Sequence, residues 1–186
     1  MRRLLLAAAA AGFGFFMIGA SLANAQAKDA PLKESPPDVP EAIQVPAGEE
    51  VVLYAHASGS QIYTCQAAAG DRLNWTLKGP EAELHDRHDK VIGQHFAGPT
   101  WKLKDGSEVT GKAAAQVDSL DADSIPWLLV KVASHSGKGL LSNVMTIQRV
   151  HTKGGKPPAE GCDASHRDAE SKSSYTADYF FYAPDK

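Results

Sequence analysis

Residues 72–78 read Arg-Leu-Asn-Trp-Thr-Leu-Lys. Leu73, Trp75 and Leu77 alternate with Asn74, Thr76 and Lys78. That period of two is what a half-buried strand requires, because successive side chains leave a strand on opposite faces. The alternation predicts a strand with Trp75 in the core. Working outward, Gln61, Tyr63 and Cys65 would share one face of another strand, with Ile62 and Thr64 on the other. Val51–His56 is a short β-rich run, and 140–150 and 175–182 are two further candidates. The run 125–133 (Ile-Pro-Trp-Leu-Leu-Val-Lys-Val-Ala) is nearly all apolar, which suits a strand covered on both faces, with a short buried helix as the alternative.

Turn chemistry favours antiparallel pairing. Lys104-Asp105-Gly106 can close a three-residue hairpin with Gly106 in the left-handed position. That register sets Trp101 opposite Val109 and Lys102 opposite Glu108, so apolar meets apolar and opposite charges meet. Ser136-Gly137-Lys138-Gly139 marks another reversal, and no amphipathic helix of about ten residues follows residue 25. The expected fold is all-β: a single-domain antiparallel sandwich or barrel of about 8–10 strands with one disulfide. The polar stretch 152–174, too long for an ordinary connection, reads as a surface loop pinned through Cys162.

Residues 1–25 have the parts of a secretory signal: Arg2 and Arg3, an apolar run from Leu4 to Leu22, and Ala23-Asn24-Ala25 before Gln26. Cleavage is expected between Ala25 and Gln26. A membrane anchor is the alternative, since the run is near spanning length, but the small-residue site argues against it. The paired arginines leave the export route open between the general secretory and twin-arginine systems. Residues 26–47 hold five prolines and few apolar residues, a Pro-rich lead-in or linker, so the domain proper is expected over 48–186. The expected location is periplasmic or secreted.

The whole 186-residue chain has 19 Lys and Arg against 22 Asp and Glu, a net charge of −3. Removing the signal takes two of those arginines and leaves the remainder more acidic. With no basic stripe, this balance argues against nucleic acid as a partner. No stretch after the signal approaches a membrane span. The two cysteines, Cys65 and Cys162, form an even count in an exported chain and read as a disulfide, with free thiols as the alternative.

Chemistry-capable residues concentrate in His85-Asp86-Arg87-His88-Asp89, followed by His95. Imidazoles beside carboxylates can bind a transition metal, so His85, His88 and His95 are candidate ligands for copper or zinc. Their spacing does not ensure convergence. With Ala82 and Leu84 inward, His85 would share the outer face with Glu81 and Glu83, residues 87–90 would form a solvated turn, and His95 would satisfy a buried contact. His56 and His135 could join such a site only through folding. Trp75, Trp101 and Trp127 read as core. In another reading Asp86, His95 and Trp101 form a rim where a sugar ring stacks. The serine-hydrolase elbow, the P-loop and the zinc-protease helix motif have no match, so no catalytic residue is assigned.

Several stretches resemble a known family. They are Gly59-x-Gln61-x-Tyr63-x-Cys65, Gly93-x-His95-Phe96-x-Gly98-Pro99-x-Trp101 and Asp105-Gly106-Ser107. Further along come Ile125-Pro126-Trp127-Leu128-Leu129, then Ile147-Gln148-Arg149-Val150 before Gly154-Gly155 and Cys162. In this order, from about Val39 to Tyr182, the chain is similar to the exported bacterial and fungal proteins grouped as domain of unknown function 3455. The resemblance implies an exported single domain and supplies no catalytic residues. The expected function is therefore a non-enzymatic binding module for a ligand, envelope component or exported protein partner. The alternatives are a metal-dependent protein centred on residues 85–95 and an inhibitor of an exported hydrolase.

Overall fold

Eight antiparallel strands close into one barrel in the computed structural model, which describes residues 34–68, 70 and 72–185. They are β1 (Glu49–Ala67), β2 (Leu73–His85), β3 (Val91–Phe96), β4 (Thr100–Leu103), β5 (Glu108–Val117), β6 (Trp127–Ser136), β7 (Thr146–Gly154) and β8 (Glu170–Pro184). Each strand pairs with the next, and β8 returns to pair with β1 from Glu49↔Pro184 to Thr64↔Glu170. Closure satisfies the backbone groups an open sheet would leave at its edges. Among the described residues there is no α-helix, and no helix is long and apolar enough to cross a membrane. The expected signal and its Ala25/Gln26 cleavage site lie outside the described residues.

Side-chain alternation sorts the strands into an inner and an outer face. In β8, Tyr175, Ala177, Tyr179 and Phe181 enter the barrel and pack with Trp101, Leu103, Val109 and Ile147. Phe180 and Tyr182 leave on the outer side, yet both are buried. Their cover is residues 39–45, a strap with one 3-10 turn (Glu41–Ile43), which lays the fully buried Ile43 against Val51, Trp127, Leu129 and Val150. Gln148 Nε2 donates to Ile43 O at 2.7 Å, and the Tyr182 hydroxyl donates to Gln148 Oε1. Strand β6 is thus apolar on both sides, as 125–133 predicts: Val130 faces inward, and Trp127 and Leu129 lie under the strap.

The β4–β5 hairpin has the expected register, Trp101↔Val109 and Lys102↔Glu108, with the latter pair 3.4 Å apart. Two runs expected as separate strands, 51–56 and 61–65, are one long strand, β1. Ser58-Gly59-Ser60 carries the strand on without a break, because Gly59 lets β2 approach closely; a Cβ there would lie 2.2 Å from Glu81 O. Gly93 serves the same purpose where β3 meets Lys102 O.

Trp75 departs from expectation. Strand β3 is short and pairs β2 only over 81–85, so the first half of β2 has β1 on one side and no strand on the other. Trp75 is half-buried there under the loop 155–169, its indole N–H donating to Glu160 O at 2.9 Å, and Leu77 is 53% exposed. The same loop carries Cys162, bonded to Cys65 across a separation of 97 residues.

Candidate functional site

The 85–95 segment forms the expected turn, with His85↔Val91 in register and His95, four positions after Val91, opposite Ala82. The two imidazoles lie on opposite faces of the wall. His85 is outside, within 3.7 Å of the Glu83 carboxylate and 3.2 Å of Asp89. His95 is inside, 3% exposed, stacked on Trp101 with centroids 4.3 Å apart, its Nδ1–H donating to Thr100 O at 2.8 Å. Burial, which penalises the charged ring, drives the His95 pKa down to about 3 against the opposing Thr100 bond. His88 is exposed at the turn. The three candidate ligands do not converge, and among the described residues no group of three His, Cys, Asp or Glu could hold a metal ion. Of the sugar-rim trio, Asp86 is at the barrel end while His95 and Trp101 are in the interior, so they share no surface.

That barrel end is the first place where the structure gathers apolar and charged side chains around a depression. The β2–β3 turn, the β4–β5 hairpin and the β6–β7 connection meet there around a mouth of about 350 Å³. Its lining is aliphatic at Leu53, Val91, Ile92, Leu103 and Leu140 and charged at Asp86, Lys90, Lys104 and Asp105. Leu53 and Ile92 pack against the barrel core, so the floor of the mouth is continuous with the interior. Below it Trp101, Tyr179 and Phe181 fill the barrel, ring against ring at 5.6–6.4 Å.

Carboxylates hold the rim in shape. Asp86 Oδ1 accepts the His88 and Lys90 backbone N–H groups at 2.8 and 3.1 Å, which lowers its pKa. Asp105 accepts from Ser107 N and Oγ on one oxygen and from Leu140 N on the other. Burial works against its ionisation, but those bonds prevail and its pKa is lowered. Asp105 thereby ties the hairpin to the β6–β7 connection. Leu140 stays 59% exposed at the edge.

The second gathering is on the outer wall, around Asp178 of β8. His56 of β1 sits directly opposite it in register, and its Nδ1 is 2.8 Å from Oδ1. His151 lies at a β7 irregularity in left-handed backbone (φ 50°), and its Nδ1 is 2.9 Å from Oδ2. Tyr54 also donates to Oδ1 at 2.8 Å. Burial would raise the Asp178 pKa, but bonds from His56, His151 and Tyr54 outweigh it and the net shift is downward. Burial and then Asp178 push the Tyr54 phenol up to about 12. Because a carboxylate only accepts, both Nδ1 atoms carry hydrogen. Arg87 lies over the Tyr54 ring at 3.5 Å and pairs with Glu34.

Sequence reasoning missed His151, Asp178, Lys104 and Leu140 as site residues. The signal for Asp178 is a charge set among the aromatics of 175–182, on the face the alternation sends outward. No curated protein and no solved structure matches the chain. The family model described as "Protein of unknown function (DUF3455)" matches residues 46–183, and the chain belongs to that family.

Proposed function

We propose that this chain is an exported β-barrel that binds a small apolar molecule at its mouth and does not transform it. The observation that carries the reading is the mouth itself: five aliphatic side chains line a depression of about 350 Å³ at the end of a barrel whose interior is filled. Barrel mouths are recurrent ligand sites, and a volume of roughly 300 Å³ or more accommodates a small ligand. The disulfide, and a first segment that reads as a signal, support export.

Titration with the neutral fluorophore N-phenylnaphthylamine tests the reading. A single saturable site is expected, lost in Leu140→Asp, a change at an exposed position that leaves the melting temperature unaltered. The reading fails if fluorescence does not saturate or if Leu140→Asp binds as the wild type does.

A further inference from the structure

We propose that the ligand of the barrel mouth is a single-chain amphiphile with an anionic head, of the kind represented by a medium-chain carboxylate; this rests on the mouth-binding reading above. The aliphatic floor selects the tail. The rim selects the head. Lys90 and Lys104 line the mouth, and among the described residues neither ammonium makes a hydrogen bond or ion pair.

The carboxylates of the lining do not cancel these charges equally. Asp86 and Asp105 are held by backbone N–H groups within their turns. They cannot move toward a ligand without giving up those bonds. The two ammoniums stand on flexible stems and can close over a head group while their methylenes cover the tail. Two mobile, unpaired cations beside two carboxylates already engaged by backbone N–H groups make the rim fit for one negative charge. A cationic head would instead have to displace an ammonium or break a turn. A neutral head would gain the floor and forgo the rim.

Decanoate, decanol and decylamine share one tail and differ in head charge, so calorimetric titration of the full mature chain with each separates floor from rim. Decanoate is expected to bind about tenfold or more tighter than decanol, with decylamine weakest. The decanoate preference should shrink as salt rises. Lys90→Glu and Lys104→Glu change exposed residues. Each is expected to weaken decanoate about tenfold, to leave decanol unchanged and to strengthen decylamine. Equal affinity for decanoate and decanol would overturn the anionic head while leaving the mouth as an apolar site. A decanoate preference that survives both charge reversals would overturn the assignment of the rim. No binding of any of the three would overturn the mouth reading and this one with it.

Discussion

His95 is a neutral imidazole in a position where a charge would be costly. The ring stacks on Trp101, meets Tyr179 edge-on at 5.1 Å and spends its one N–H on Thr100 O. With the folded pKa near 3 and the ordinary value at 6.5, the unfolded chain binds a proton through that interval and the folded chain does not. Stability due to this residue is therefore complete above pH 6.5 and declines as pH falls toward 3. The loss is about 3 kcal/mol by about pH 4.5. Urea denaturation from neutral to acidic pH should show this slope beginning well above the carboxylate range, and His95→Gln should flatten it. An unchanged slope would show that His95 does not titrate on unfolding. Trp75 has the opposite character. Half-exposed, with one bond to Glu160 O, it should cost only about 1–2 kcal/mol on replacement by Ala, against the roughly 3–5 kcal/mol of a buried Trp. A larger loss by denaturant titration would show that the loop seals it. Local alternation marks Trp75 as a strand residue. It cannot say that β3 stops short of Trp75, because burial depends on a neighbour's length and not on the residue's own pattern.

The strap over the outer wall shows how an element can be energetically central and still read as a linker. Residues 34–47 are rich in proline, and only Val39, Ile43 and Val45 offer large apolar side chains. Their effect comes from the surface beneath. Trp127, Leu129, Phe180 and Tyr182 emerge on the outside of the barrel and need a cover, and Ile43 supplies it. Ile43→Ala should therefore cost about 2–5 kcal/mol, near the scale of a core deletion. Equilibrium unfolding of the variant measures this, and a loss below about 0.5 kcal/mol, typical of surface positions, would show the strap to be dispensable. The β4–β5 hairpin sits at the other extreme of legibility. Its three-residue turn sets the register locally, and Trp101↔Val109 follows from counting. The Asp178 cluster was hidden for the reason the strap was: it joins β1, β7 and β8, whose adjacency is created by closure and leaves no mark in any one segment.

At the scale of the whole molecule, choosing a barrel over a sandwich means pairing the first strand with the last, and Glu49↔Pro184 is a contact between the two ends of the domain. Alternation establishes strands and their faces, but it carries no information on so distant a pairing. The disulfide is the second long-range tie, and the cysteine count does disclose it. It closes a loop of 97 residues, worth about 4–5 kcal/mol in the chain-entropy model and roughly 2–5 in practice. Its local role is narrower. The far end of the 155–169 loop is already fixed to β1 by Cys65 N–H to Ala169 O and Asp168 N–H to Cys65 O. Reduction should thus leave the barrel closed and free only the segment that covers Trp75. Cys65→Ser paired with Cys162→Ser, which avoids a lone thiol, should lower unfolding stability by about 2–5 kcal/mol. Hydrogen exchange should rise across 157–162 while β1 and β8 keep their protection, since their ladder hydrogen bonds do not involve the bridge. Equal unfolding midpoints with and without reductant would remove the bridge from the account of stability. Loss of protection in β1 and β8 would show instead that closure of the barrel depends on it.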